Sequence, residues 1–222
     1  MSAYFVTAIG TDIGKTYVSA QMLKAWRGAG KKVAAVKTLM SGFGEADLPA
    51  SDAGQLLQAM GQAVTPRAVS KICLHRFEAP LAPNVAMREA GMVQDYAAIL
   101  AFTRKALSAA SPGDKVLVEG AGGVMSPVTD QRLHIDFMED LSLPVILVAA
   151  SYLGAVSHTL TAIAAIRARG LDLAALVASQ PHPGAQDPHH LLREVGLFDP
   201  VPAAAVPYNA AAGTLCDMLD AR

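Results

Sequence analysis

The residues that most constrain the fold of this chain are Ala8–Thr16, which read Ala-Ile-Gly-Thr-Asp-Ile-Gly-Lys-Thr. An apolar run, Tyr4–Val6, precedes them, and a helical pattern follows. A strand, a glycine-containing turn and a Gly-Lys-Thr that opens a helix are typical of a phosphate-binding loop. Backbone N–H groups at the helix start meet the anion, and the lysine adds a positive charge. The sequence therefore predicts a nucleotide site here.

One half of this motif departs from the strict pattern. Glycine is expected five positions before Gly14, where this chain has Ile9, and the nearest glycine is Gly10. The alternative is an ordinary strand-to-helix turn with an exposed lysine, but the placement between an apolar strand and an amphipathic helix favours a nucleotide. We expect Lys15 to place its charge on the β- and γ-phosphates and Thr16 to offer its hydroxyl to magnesium.

Length, charge and cysteine usage exclude several classes of protein. The chain has 222 residues, of which 52% are apolar, and these suffice for a single domain over residues 1–222. The 18 basic residues against 19 acidic ones give no reason to expect a nucleic-acid partner. Cys73 and Cys216 lie far apart without metal-binding spacing, and no leader pattern precedes the first strand. We therefore expect a cytoplasmic protein, and the apolar runs are too short to cross a membrane.

Apolar strands alternate with amphipathic helices along the chain. The patterns predict strands at 3–8, 33–36, 116–118, 145–150, 173–178 and 203–206, with helices at 14–28, 93–110, 134–141, 155–169, 188–195 and 210–221. Residues 38–51 are predicted to be a loop, followed by a short helix that Asp52 opens, and residues 62–92 to be irregular apart from a strand-like run at 72–74. This order predicts an α/β fold with a mostly parallel twisted sheet flanked by helices on both faces, of the P-loop NTPase type.

Three predicted strands end in residues of chemical interest, and parallel strands bring those ends to one edge of the sheet. Strand one ends in the phosphate loop, strand two in Lys37, and the strand at 116–118 in Glu119 and a glycine cluster. Lys37 is either an ordinary solvated lysine or a second cation aimed into an anion site. Glu119 suits a magnesium site, whereas Asp52 is either a ligand or a helix cap. Asp12 is either a turn former or a contact to a second substrate.

Taken in order, these motifs resemble the dethiobiotin synthetase family over most of the chain. The matching segments are Phe5-Val6-Thr7 with Thr11 and Gly14-Lys15-Thr16, Val36-Lys37 with Ser41-Gly42, Ser51-Asp52-Ala53, Glu78-Ala79-Pro80 with Pro83, Val118-Glu119-Gly120-Ala121-Gly122-Gly123, Leu143–Val148, and Leu153-Gly154 with His158. The resemblance implies an enzyme that uses ATP and Mg²⁺ to join CO₂ to 7,8-diaminopelargonic acid and close a ureido ring, through a phosphorylated carbamate. It also implies a homodimer in which the substrate's carboxylate tail reaches the partner subunit.

The resemblance assigns roles to individual residues. Catalysis would depend on Lys37, Lys15 and Thr11, and Mg²⁺ on Thr16, Asp52 and Glu119. The diamine or its carbamate would contact Ser41, Lys37, Thr11, Asp12 and Gly122. The nucleotide would contact Asp12, Ile13, Gly14, Lys15, Thr16, Tyr17, Asp52, Glu119, Gly120, Ala121, Gly122, Ser179 and Pro207.

Three positions differ from the family's usual pattern, and one alternative function stays open. Ala8 replaces a glycine, Asp12 a glutamate, and Ser179 an asparagine that reads the base. ATP is therefore the expected nucleotide by default, and another nucleoside triphosphate stays open. The alternative is a P-loop switch ATPase of the partitioning or site-selection type. Against it, residues 8–13 contain no lysine and residues 210–222 carry a single basic residue.

Overall fold

The computed structural model describes the backbone of residues 1–222 and every side chain except that of Glu45. Its strands are β1 (Ser2–Ala8), β2 (Val33–Val36), β3 (Leu39–Met40), β4 (His75–Arg76), β5 (Lys115–Glu119), β6 (Pro127–Thr129), β7 (Arg132–Leu133), β8 (Val145–Ala150), β9 (Leu173–Ser179) and β10 (Ala203–Val206). Its helices are α1 (Lys15–Gly28), α2 (Asp52–Ala59), α3 (Pro66–Ile72), α4 (Pro83–Glu89), α5 (Tyr96–Ser108), α6 (His134–Leu141), α7 (Ala155–Ala168), α8 (Pro188–Gly196) and α9 (Gly213–Asp220).

Six strands form one fully parallel sheet in the order β10-β9-β8-β1-β5-β2. The register between neighbours pairs Val6 with Glu119 and Val36 with Val118. The residues that follow β1 and β2 therefore emerge beside Glu119 at the carboxyl edge. The predicted parallel sheet and the predicted convergence of three strand ends are both confirmed.

Helices cover both faces of the sheet, because alternate residues of each strand point to opposite sides. Tyr4, Val6 and Ala8 pack in a core with α1, α2 and α9, whereas Phe5 and Val118 pack in a second core with α5, α6, α7 and α8. In the described part of the chain, no helix is long and apolar enough to cross a membrane. Cys73 and Cys216 are both buried and free.

The prediction that residues 62–92 are irregular was wrong. Helices α3 and α4 occupy much of this segment, and each begins with a proline at its first position. Proline suits that position because its missing N–H would have no partner within the helix. The strand-like run at 72–74 is also misplaced, since Ile72 ends α3 and the strand is β4 at His75–Arg76. Residues 38–51 contain the short strand β3 and a 3₁₀ turn in addition to loop.

Asp52 is the first residue of α2 and does not cap it, which corrects one of the two interpretations given above. Ser51 is the cap, because its hydroxyl accepts the N–H of Gly54 at 3.1 Å. The Asp52 carboxylate is consequently free to contact other elements.

Gly54 fixes how closely α2 approaches the preceding loop. A methyl group at Gly54 would overlap the carbonyl oxygen of Leu48 and lie 2.9 Å from that of Pro49. We expect Gly54→Ala to lower the free energy of unfolding by about 1–3 kcal/mol, as overpacking does, although alanine normally favours a helix. Gly28→Ala is the matched control, because nothing lies within 4 Å of a methyl there. Urea unfolding measures both, and a Gly54→Ala protein as stable as the Gly28→Ala protein would contradict this reading.

Candidate active site

The turn between β1 and α1 has the backbone of a phosphate-binding loop. Gly14 stands at the N-terminus of α1 with φ 97°, and Asp12 also has a positive φ of 56°. A side chain at Gly14 would meet the Ser179 hydroxyl at 2.8 Å, so glycine is required by both conformation and space. The Lys15 ammonium donates to the Gly10 carbonyl at 3.0 Å and curls back over the loop. The loop is therefore closed around its own lysine despite Ile9 at the glycine position.

Lys37 lies at the centre of a buried ion cluster. Its ammonium is 2.8 Å from Glu119 Oε1, 2.8 Å from Asp52 Oδ2 and 3.0 Å from the Gly120 carbonyl. The residue is 2% exposed, so the interpretation of Lys37 as a solvated surface lysine is wrong. Burial alone would lower the pKa of Lys37, but attraction to Glu119 and Asp52 outweighs it and raises the pKa. Lys37 is consequently a permanent cation.

The pKa of the Lys15 ammonium is shifted in the opposite direction from that of Lys37. Burial and repulsion by Lys37 lower the pKa of Lys15 to about 8. Two ammonium groups thus face one small space, where Glu119, Asp52 and Asp12 raise the pKa of Lys15 by less than burial and Lys37 lower it. An anion such as a phosphate group would relieve this repulsion and favour the charged form of Lys15.

Thr16, Asp52 and Glu119 form a set of oxygen donors that fits Mg²⁺. The Thr16 hydroxyl donates to Glu119 Oε1 at 2.7 Å. Burial would raise the pKa of Asp52, but attraction to the Lys37 ammonium lowers it. Glu119 Oε2 is buried and has no hydrogen-bond partner among the described residues. Among the described residues, no group of three or more His, Cys, Asp or Glu side chains is arranged so that it could hold a metal ion by itself. Magnesium accepts such a sparse set, because it takes one or two carboxylates and completes its shell with water and phosphate oxygens.

Two cavities meet at this edge of the sheet. The first, of about 380 Å³, lies over the phosphate loop and is lined by Lys15, Thr16, Tyr17 and Lys37. The second, of about 410 Å³, is lined by Ser41 and by the Pro80–Pro83 loop. They share five residues, namely Thr11, Asp12, Asp52, Ala121 and Gly122. The geometry can therefore hold a nucleotide and a second substrate side by side.

Tyr17 and Pro207, which are expected to lie beside the nucleoside, are in contact, whereas Ser179 does not face a nucleoside base as expected. The Tyr17 hydroxyl donates to the Pro207 carbonyl at 2.6 Å, which ties α1 to the loop after β10. Ser179 is fully buried, and its hydroxyl donates to the Ile13 and Ala149 carbonyls. Its side chain braces the phosphate loop and is not exposed to a base. The Ile13 side chain is buried as well, and the Ile13 carbonyl oxygen is the loop atom that accepts the Ser179 hydrogen bond.

The structure adds residues that sequence reasoning missed. Pro181 and His182 line the phosphate cavity directly after β9, and the rule that ligands meet the carboxyl edge could have found them. Ser126 lines the second cavity, and its hydroxyl accepts the Gly123 N–H at 2.7 Å. The His134 ring lies inside the fold, where it accepts the Ala121 N–H at 3.0 Å. No signal in the sequence pointed to His134.

Comparisons with known proteins agree with this geometry. A family model described as an AAA domain matches residues 2–213. Three relatives carry the name ATP-dependent dethiobiotin synthetase BioD. The protein of Phenylobacterium zucineum is 49% identical over 81% of this chain and 76% of its own length. The protein of Methylobacterium nodulans is 43% identical over 87% of both chains. The protein of Caulobacter vibrioides is 41% identical over 99% of both chains.

Two solved structures share the fold alone. The signal recognition particle receptor FtsY of Elizabethkingia anophelis superposes with a TM-score of 0.50 at 16% identity over 99% of this chain, and chloroplast FtsY of Physcomitrella patens with 0.50 at 14% over 98%. This chain spans 64% of each receptor chain. The P-loop NTPase architecture is thereby confirmed, and the extent of the sequence matches shows that the chain belongs to the dethiobiotin synthetase family.

Proposed function

We propose that this chain is an ATP-dependent dethiobiotin synthetase that acts on 7,8-diaminopelargonic acid and CO₂. The observation that carries the proposal is the shared wall of the two cavities, with Lys15 and Lys37 beside it. A switch ATPase of the partitioning type needs only the phosphate cavity. A synthetase needs a second cavity in contact with the first, because its acceptor must reach the γ-phosphate.

The reaction has three bond-forming steps. One amine of the diamine attacks CO₂ to give a carbamate and loses a proton. A carbamate oxygen then attacks the γ-phosphate of ATP, which releases ADP and leaves a carbamic–phosphoric anhydride. The second amine attacks the carbamate carbon and loses a proton, phosphate leaves with that oxygen, and the ureido ring closes.

The central difficulty is electrostatic, since an anionic carbamate must approach an anionic phosphate. Positive charge aimed at the meeting point offsets this repulsion and is worth most in a site that excludes water. Lys15 is 7% exposed and Lys37 is 2% exposed, so both charges act at low effective dielectric. We assign Lys15 to the phosphates and Lys37 to the junction of phosphate and carbamate.

Thr16, Asp52 and Glu119 would hold Mg²⁺, as their donor set and the unpartnered Glu119 Oε2 support. The ion would supply charge neutralisation between the β- and γ-phosphates. The remaining nucleotide contacts would come from Ile13 and Gly14 through the backbone and from Tyr17 and Pro207 beside the nucleoside, whereas the N–H groups expected from Gly120 and Ala121 are already taken by the Val6 carbonyl and by His134. Ser179 would contribute by bracing the phosphate loop. ATP is the proposed nucleotide because the name of the relatives specifies it.

Positioning supplies the rest of the catalysis. Ser41, Thr11, Asp12 and Gly122 line the second cavity and would hold the two amines, and ring closure is intramolecular once both are held. Pro80–Pro83 closes the other side of that cavity. We further propose that residues 1–222 act as one domain in a cytoplasmic homodimer, on the basis of the family resemblance.

Diamine-dependent phosphate release tests the proposed function. We expect the purified protein, with ATP and Mg²⁺, to release phosphate rapidly only when 7,8-diaminopelargonic acid and bicarbonate are both present. A coupled phosphate assay measures the rate with each component omitted in turn. Release that is equally fast without the diamine would favour the switch ATPase and overturn the synthetase.

Lys37→Gln tests the role of the second cation. We expect turnover to fall by about 10²-fold or more, as when one preorganised charge or donor is removed from a transition state. Glutamine keeps an amide donor but removes the charge, which costs stability, so far-ultraviolet circular dichroism is measured well below the urea unfolding transition, where it is expected to match that of the parent protein. Lys31→Gln is the control, because Lys31 is exposed and precedes β2, at the opposite end of that strand from Lys37. Similar turnover in the two variants would remove Lys37 from the mechanism.

Thr16→Val tests the magnesium set. Valine keeps the shape of threonine but lacks the hydroxyl, so we expect the Mg²⁺ concentration for half-maximal rate to rise by about 10-fold, whereas Thr16→Ser stays near the parent value. One charge-assisted hydrogen bond or ligand of this kind is worth about 1.5–3 kcal/mol. The rate is measured against Mg²⁺ at saturating ATP. Equal Mg²⁺ dependence in both variants would exclude Thr16 as a ligand.

A further inference from the structure

A buried histidine lies directly behind the loop that separates the two cavities. His134 is 2% exposed, and both of its ring nitrogens have backbone partners. Nε2 is 3.0 Å from the Ala121 amide nitrogen, and Nδ1 is 3.0 Å from the Ser126 carbonyl oxygen. An amide nitrogen can only donate and a carbonyl oxygen can only accept. These partners therefore fix one neutral tautomer, with the proton on Nδ1.

The protonation state of His134 is consistent with this geometry. Burial lowers the pKa of His134 to about 4, although the hydrogen bond to the Ser126 backbone acts in the other direction. The ring is therefore neutral at neutral pH. A protonated ring would turn a second N–H toward the Ala121 N–H and break that contact.

The loop from Gly120 to Val124 has nearly all of its N–H groups occupied. Gly120 donates to the Val6 carbonyl, Gly123 to the Ser126 hydroxyl, and Val124 to the Ala8 carbonyl. Ala121 donates to His134, and the Gly122 N–H has no partner among the described residues. Gly122 lines both cavities with φ 76°. The loop thus leaves one backbone donor free where the two substrates would meet.

The ring is held firmly enough to fix this loop. His134 is the first residue of α6, and the Leu133 N–H donates to the Asp136 carboxylate at 2.8 Å. Asp136 is in turn 2.8 Å from Arg169 of the neighbouring helix end. A methyl group at Gly120 would lie 3.1 Å from His134 Cδ2, so the loop backbone passes directly against the ring.

We propose that His134 is a positioning residue that turns the Ala121 N–H away from the cavities and so presents the Gly122 N–H to the acceptor substrate. This inference deepens the proposed function and rests on it. Glu119 is held independently, by Thr16 and Lys37, so the loop can shift without moving the proposed metal ligand. His134 therefore acts on the diamine or its carbamate and not on nucleotide binding.

Three substitutions separate the two contacts of the ring. His134→Gln can place its amide oxygen where Nε2 stands and keep the bond to Ala121. His134→Asn can place its amide nitrogen where Nδ1 stands and keep only the bond to Ser126. His134→Phe keeps the ring volume and loses both bonds.

The test measures kcat/KM for the diamine, the Kd of a non-hydrolysable ATP analogue, and hydrogen exchange of the Ala121 amide. We expect the Phe and Asn variants to lose about 10-fold or more in kcat/KM, because displacing a hydrogen-bond donor lowers the catalytic rate far more than it lowers the stability of the fold. We also expect the Ala121 amide of both variants to lose its protection from hydrogen exchange. The Gln variant is expected to stay within about threefold of the parent on kcat/KM. The analogue Kd is expected to stay within about twofold in all three, which a general loss of structure would not allow.

Three results would overturn the inference while leaving the proposed function standing. The first is a Phe variant with unchanged kcat/KM beside an active parent protein. The second is a Gln variant whose kcat/KM falls as far as that of the Phe variant. The third is an analogue Kd that weakens in step with kcat/KM. A parent protein without diamine-dependent turnover would instead overturn the proposed function, and this inference with it.

Discussion

The ion cluster of Lys37, Glu119 and Asp52 is the interaction on which the site depends. Burying one ammonium between two carboxylates is costly unless each charge keeps a close partner, and here each contact is 2.8 Å. Removing either member of the buried Lys37–Glu119 pair costs about 3–5 kcal/mol, because the remaining charge is left unpaired, whereas the Asp52 side chain is 38% exposed and its contact contributes less. The cluster joins the end of β2, the end of β5 and the start of α2. These three elements consequently cannot move apart without exposing or isolating a charge.

The order of strands in the sheet produces this cluster. β5 lies between β1 and β2, and its register sets Val36 opposite Val118, so Lys37 emerges beside Glu119. On the other side, Val6 lies opposite Glu119, so the phosphate loop that follows β1 rises next to the same carboxylate. A single parallel sheet thereby places a phosphate site and an acceptor site against one shared wall. The loop before α4 and the loop after β9 then shape the cavities around it.

Much of this arrangement could be predicted from the sequence, because it depends on local patterns. Apolar runs gave the sheet strands nearly to the residue, and Lys37 and Glu119 were recognisable because each follows or ends such a run. Residues 62–92 were misread, since three prolines and short apolar spacing obscured two helices that begin with proline at the first position. The direction of the Ser179 hydroxyl depends on the Ile13 carbonyl, which is 166 residues away in the chain. No local pattern encodes such a contact, and the same holds for His134 against Ala121.

The central claim is that both substrates react across one shared wall, so that carbon from bicarbonate ends in a ring closed over the two amines. The most direct measurement is mass spectrometry of the product formed from ¹³C-bicarbonate, ATP and 7,8-diaminopelargonic acid, with phosphate measured in the same sample. The account predicts a product that contains the diamine and one labelled carbonyl carbon, with one phosphate released for each labelled molecule. Phosphate released without a labelled ring product would contradict it.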